Sequence, residues 1–207
     1  TVLPSTIADA PELLQILDNK DTVFCRDFNS LKYTAIRTDA NVFFCHDMAF
    51  RLDLSAICND AETLRMRMGR TVGKKNKLKL FKCQLDLGKV SLYTFLGGRH
   101  AFRRDRERQP RNDGLASAAG IDVSNLFQLG LQNQSGHDLV SYYFIEAVRK
   151  FDSIETDRLH VAIAAALLGK HVLFFENAYF KNRAVYEASL KDRYMNVIPA
   201  WGHDGIN

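Results

Sequence analysis

Short, dense apolar runs alternate along this 207-residue chain with stretches whose apolar residues recur every three or four positions. Runs of about 4–8 apolar residues bounded by turn formers read as buried strands, and the wider spacing reads as helix. Val2-Leu3-Pro4 reads as a strand end. Pro11 to Leu17, with Leu13, Leu14 and Leu17 on one face, reads as a helix. Thr22-Val23-Phe24-Cys25 reads as a buried strand, Asn29 or Ser30 as the cap of a short helix through Tyr33 to Ile36, and Val42-Phe43-Phe44-Cys45 as a further strand ending at His46-Asp47. This strand–helix–strand rhythm predicts an α/β fold with a parallel sheet flanked by helices.

From Asn59 to Lys89 the rhythm breaks: the stretch is basic, weakly periodic and interrupted by Gly69, Gly73 and Gly88. A second βα unit is expected to begin with a strand at Val90-Ser-Leu-Tyr-Thr-Phe95. Residues from Arg103 to Ala119, with Pro110, Asn112, Asp113 and Gly114, read as a loop. Asp138 to Lys150 carries a buried-looking stripe of Leu139, Tyr142, Tyr143, Ala147 and Val148 and reads as a helix. A strand from Phe151 to Thr156 follows. Then come a helix from Leu159 to Leu168 stopped by Gly169, a strand at His171–Phe175, and a helix from Asn182 to Arg193. The pattern divides the chain into an N-terminal unit (1–58), a basic connection (59–89) and a C-terminal unit (90–207).

Composition changes this picture little. Hydrophobic residues make up 46% and charged residues 25%, ordinary for a folded chain, and no apolar run reaches the length of a membrane span. Cys25, Cys45, Cys58 and Cys83 are widely spaced, so they read as reduced, mostly buried thiols of a cytoplasmic protein rather than as a zinc site; no metal is expected. The net charge of +4 is unevenly placed: eight basic and no acidic residues lie between Arg65 and Lys82, and a second cluster runs from Arg99 to Arg111. These clusters read either as a solvated face and linker or as a surface that meets an anion, such as a phosphorylated lipid carrier or a membrane face. The first run has little aromatic interleaving, so nucleic acid is not the expected partner.

The strongest chemical signal is Thr156-Asp157-Arg158-Leu159-His160 at the start of an Ala-rich helix. Helix starts are electropositive, Arg can grip a carboxylate or phosphate with two parallel bonds, and His exchanges protons near neutral pH. These residue types suit an enzyme acting on a phosphorylated acid. Arg26 follows a first-unit strand as Arg158 follows a second-unit strand, where open α/β sheets bind ligands. Arg26 could instead form a structural ion pair with Asp27 or Asp47. His46, His100, His137, His171 and His203 have no comparable setting and read as structural.

Several segments, in order, resemble the polysaccharide pyruvyl transferase family: Leu3-Pro4-Ser5-Thr6-Ile7, Arg26-Asp27 with Ser30, His46-Asp47-Met48-Ala49 (His replacing a Pro), Arg103-Arg104-Asp105-Arg106-Glu107, Thr156 to His160, and Asn177 to Asn182. The resemblance implies two Rossmann-like domains of glycosyltransferase-B type. Nothing here matches the Gly-rich segment that members carry ahead of the Leu-Pro strand, so the N-terminal domain is expected to be incomplete. It also implies transfer of pyruvate from phosphoenolpyruvate, with no further cofactor, to a sugar as a cyclic ketal. The expected compartment is the cytoplasm, at the inner face of the cytoplasmic membrane where the saccharide acceptor is lipid-linked. Arg26 and Arg158 are then expected to bind phosphoenolpyruvate and His160 to act as acid or base. Leu159 would offer its backbone N–H, Asn177 and Lys181 would line the cleft, and Asp105 and Glu107 would contact sugar hydroxyls or pair with Arg104 and Arg106. Two alternatives stay open: a sugar-nucleotide glycosyltransferase of the same architecture, and an inactive fragment of the family.

Overall fold

In the first half, three short strands, β1 (Val2–Ser5), β2 (Thr22–Cys25) and β3 (Asn41–Phe44), lie parallel in the order β1-β2-β3. The structure is a computed structural model, and it describes residues 1–57, 63, 74–99, 101, 121–123, 126–127, 134–176 and 180–201. Helices α1 (Pro11–Gln15) and α2 (Phe28–Ala35) connect the strands. Val23 and Cys25 are buried while Leu3 and Phe43 are exposed, the alternation expected of a sheet with one covered face. The cap of α2 is Asp27 rather than Asn29 or Ser30: its carboxylate accepts from the Ser30 N–H at 2.8 Å and the Ser30 hydroxyl at 2.7 Å. Ser30 is already committed elsewhere, its Oγ accepting from the Ile7 N–H at 2.8 Å.

The second half departs from the expected pattern at one element. Val90–Phe95 is not a strand but the last turns of α3 (Lys74–Phe95), a helix that runs through residue 89. Leu80, Cys83, Leu87, Val90 and Tyr93 recur at three- and four-residue spacing and pack on the core, while Phe81, Leu85, Leu92 and Phe95 are exposed. The helical period therefore wins over the local alternation of a β-rich hexapeptide. Extended pairing comes later: the Glu155 N–H donates to the Arg99 carbonyl and the Ala101 N–H to the Glu155 carbonyl, both at 2.8 Å. Helix α4 (Gln134–Arg149) buries Leu139, Tyr143, Ile145, Ala147 and Val148.

Strands β4 (Ser153–Thr156), β5 (His171–Phe174) and β6 (Val197–Pro199) form the second parallel sheet in the order β4-β5-β6. Between β4 and β5 lies α5 (Leu159–Leu167), apolar all round and buried from Val161 to Ala166. It ends at Gly169, whose φ of 68° is the left-handed conformation glycine accepts without strain. The expected last helix is two segments: α6 (Lys181–Val185) and a π-helical turn, Tyr186–Leu190.

Most of the buried apolar side chains gather around α5, from α3, α4, β4, β5 and Leu190. Ala49, Phe50 and Leu54 of the first half pack against this core. The halves also meet where Phe50 stacks on Tyr194 at 5.6 Å and where His46 Nδ1 lies 2.9 Å from Ser189 Oγ. The architecture is α/β with parallel sheets. The basic side chains from Arg65 to Lys79, the expected loop Arg103–Ala119 and Cys58 lie outside the described residues. Cys25, Cys45 and Cys83 are free thiols, and burial pushes Cys83 up to about 11, with the Asp86 charge adding to it.

Candidate functional site

The carboxyl ends of β2, β3 and β4 converge. Arg26, the residue after β2, donates its backbone N–H to the Ser5 carbonyl at 3.2 Å, which fixes its backbone against β1. Its Nε donates to Thr6 Oγ1 at 2.9 Å and its Nη1 to Asp47 Oδ2 at 2.5 Å. Nη2 has no hydrogen-bond partner among the described residues. Asp47 stands just past β3, and its other oxygen accepts the Ala49 N–H at 2.9 Å, capping the 3-10 turn Met48–Arg51. Across from it, His160 Nε2 of the second half approaches Asp47 Oδ2 to 3.7 Å. The imidazole is 61% exposed and the carboxylate 6% exposed, so a buried anion sits between an arginine and a histidine open to solvent.

Burial pushes the Asp47 carboxyl up. That push is outweighed by the facing His160 ring, the Ala49 N–H and the Arg26 guanidinium, which together hold it well below the usual carboxylate range. His46, its neighbour, is lowered by burial and by the nearby Arg193 charge, which favours the neutral ring against Ser189.

Arg158 is the N-cap residue of α5, and no side chain caps the helix. The first N–H groups of a helix have no intrahelical partner, so the N–H groups at Leu159 and His160 are suited to an anion. Thr156 fixes the entry: its hydroxyl donates to the Ala101 carbonyl at 2.7 Å and accepts the Arg158 N–H at 3.0 Å. Arg158 Nη2 donates to Asp122 Oδ2 at 2.7 Å, and its Nε is buried with no partner among the described residues. The Leu159 side chain lies in the core, as expected. Asn182, buried in the first turns of α6, donates from Nδ2 to the Asp157 and Phe175 carbonyls at 2.8 and 3.0 Å. Lys181, half-buried, opens the same helix.

The structure thus brings Arg26 and His160 together through Asp47, places Arg158 at the same strand ends, and turns it toward Asp122. The ion pair of Arg26 with Asp47, an open alternative in the sequence, is present. Asn177, Asp105 and Glu107 lie outside the described residues. Sequence reasoning missed Asp122, which is 36 positions from its partner, and Ser189, which is 143 from His46. The only signal for Asp122 was a carboxylate set among apolar residues. Among the described residues, no cluster of three His, Cys, Asp or Glu side chains is placed to hold a metal, and no helix is long and apolar enough to cross a membrane.

Comparison with known proteins bears on this geometry. The crystal structure of a functionally uncharacterised protein from Klebsiella pneumoniae is similar, with a TM-score of 0.60 and 26% sequence identity. The similarity covers 96% of this chain and 62% of that one, so this chain spans under two thirds of its length. No curated protein matches. The family model described as polysaccharide pyruvyl transferase matches residues 2–179, which include β1 through β5, Arg26, Asp47, Arg158 and His160. The chain belongs to the polysaccharide pyruvyl transferase family.

Proposed function

We propose that the chain transfers pyruvate from phosphoenolpyruvate to a saccharide of a surface or exopolysaccharide, forming a cyclic ketal. The observation that carries this reading is the meeting of Arg26, Asp47 and His160 from two sheets at their carboxyl ends, beside the uncapped start of α5. The donor carries a phosphate and a carboxylate on a small frame. The free edge of Arg26, the guanidinium of Arg158 and the N–H groups of Leu159 and His160 supply donors for both.

Ketal formation begins with a proton added to the methylene carbon, which develops cationic character on the carbon bearing the phosphate. One sugar hydroxyl attacks there, inorganic phosphate departs, and a second hydroxyl closes the ring. The two hydroxyls lose two protons; one balances the proton added to carbon, and the other leaves on phosphate. His160 is the group for the first proton: its ring is exposed enough to reach a ligand and lies 3.7 Å from the Asp47 carboxylate that orients it. Asp47 acts on the reaction through His160 and Arg26, as a positioning residue. The reaction belongs in the cytoplasm, at the inner membrane face if the acceptor is lipid-linked.

The test pairs ligand binding with turnover. Phosphoenolpyruvate at about 100 times its Kd would stabilise the fold by about 2.7 kcal/mol. Arg158→Lys keeps a charge beside buried Asp122 but loses the planar fork, so the thermal shift shrinks. His160→Gln removes a partner of buried Asp47, so it is assayed where its melting curve shows it folded, and there it lowers phosphate release with acceptor by about 10²–10⁴-fold. A folded wild type with no shift at saturating phosphoenolpyruvate would reject the donor assignment.

A further inference from the structure

We infer that a saccharide subsite adjoins the Arg26–Asp47 side of the site, in the cavity between Phe28 and Phe180. The inference rests on the reading of the chain as a transferase with a sugar acceptor. The cavity has a volume of about 220 Å³ and is lined by Phe28 and Asn29 from the first half and by Phe180, Arg183, Ala184 and Glu187 from the second. Its position follows from strand order. Asp47 and His160 meet beyond β3 and β4. Phe28 follows β2, the neighbour of β3, and Phe180 follows β5, the neighbour of β4. Phe28 stands two residues past Arg26 and stacks on Phe44, three residues before Asp47, so the cavity adjoins that site. A two-substrate transfer needs its second pocket beside the first.

The lining fits a sugar ring better than an anion or a flat apolar ligand. Phe28 is 50% exposed and Phe180 39% exposed, so both walls present aromatic carbon to solvent. Phe28 is backed by Phe44, stacked at 4.8 Å, which holds its ring in place. The negative face of such a ring attracts the slightly positive C–H edge of a pyranose. Around the rings stand an amide, a guanidinium and a carboxylate, the donors and acceptors that vicinal hydroxyls require. Asn29 has no hydrogen-bond partner among the described residues, and Glu187 engages Lys191 through one oxygen, at 2.8 Å. Arg183 and Glu187 bring opposite charges to the cavity, which does not select an anion. The larger hollow beside Ala35–Asp39, about 570 Å³, is lined by α1 and the end of α2, with no residue from the second half.

A glycan array of defined, non-phosphorylated oligosaccharides tests the inference on the whole chain, read for wild type, Asn29→Ala and Phe180→Ala. The expected result is binding by wild type and a loss of about tenfold or more in each variant, with the phosphoenolpyruvate thermal shift unchanged. Wild-type binding that both variants retain would overturn the subsite, as would a wild type that binds no glycan. Glycan binding lost in the variants, with no phosphoenolpyruvate shift in wild type, would keep the subsite and remove the donor assignment instead.

Discussion

Asp47 carries more of the site than any other single residue. Its carboxylate is 6% exposed, caps a turn with one oxygen, and faces Arg26 and His160 with the other. A carboxyl held ionised in the folded state below its ordinary value of 3.8 adds stability that is present above that value and lost as pH falls through and below it. Asp47→Asn keeps the shape and loses the charge. Urea melts at neutral pH should show the variant less stable than wild type, and melts at successively lower pH should show the gap closing. A gap that stays constant into the acid range would mean that the charge of Asp47 does not stabilise the fold. The signal for this residue was half visible in the sequence. Asp47 was one of two candidate ion-pair partners for Arg26, with Asp27, but its approach to His160 joins positions 113 apart and needed the folded chain. Arg26, Arg158 and His160 were legible because each follows a strand, and the carboxyl end of a parallel strand is a place that sequence order can locate.

At the level of elements, legibility tracked how far local physics decides. Thr22–Cys25 and the core of His171–Phe174 are dense apolar runs between polar turns, and both are strands with the expected bounds or within one residue. Gly169 stops α5 as expected. An added Cβ there meets nothing within 4 Å, so the cost of Gly169→Ala is that of the left-handed backbone alone, about 1–2 kcal/mol. Thermal melts should show a drop of about 2–8 °C, and Gly169→Asn a smaller one because Asn tolerates this conformation. Equal effects of the two substitutions would point to contacts rather than backbone. Elements went unread where long-range packing decides. Val90–Phe95 has strand-like residues, yet its partners lie along a 22-residue helix whose period only the core reveals. Strand β6 is three residues long and contains Pro199, which local propensity disfavours in a strand. The π-helical turn after α6 carries Ser189 to His46, and no local feature of the sequence marks it.

Across the whole molecule, the two halves are joined by identifiable side-chain contacts, among them Phe50 on Tyr194 and Asp47 facing His160. One junction, His46 against Ser189, takes the place where the family resemblance has a proline. The folded state holds His46 below its ordinary value of 6.5, so the unfolded chain binds the extra proton first as pH falls. Stability should therefore decline from pH 6.5 downward. His46→Gln, which keeps a hydrogen-bonding group without the titration, should flatten that decline in melts between pH 7.5 and 5.5. An unchanged slope would assign it to other groups. The two walls of the cleft also differ in what they permit. His160 rides on α5, whose residues from Val161 to Ala166 are sealed in the core, whereas Phe28, Asn29 and Phe180 stand exposed on loops and helix starts. Substitutions from Val161 to Ala166 disturb the centre of the molecule, and substitutions at Phe28, Asn29 and Phe180 disturb less of it. A designer reshaping this scaffold has latitude at the exposed wall of Phe28 and Phe180 and almost none along the sealed helix that carries His160.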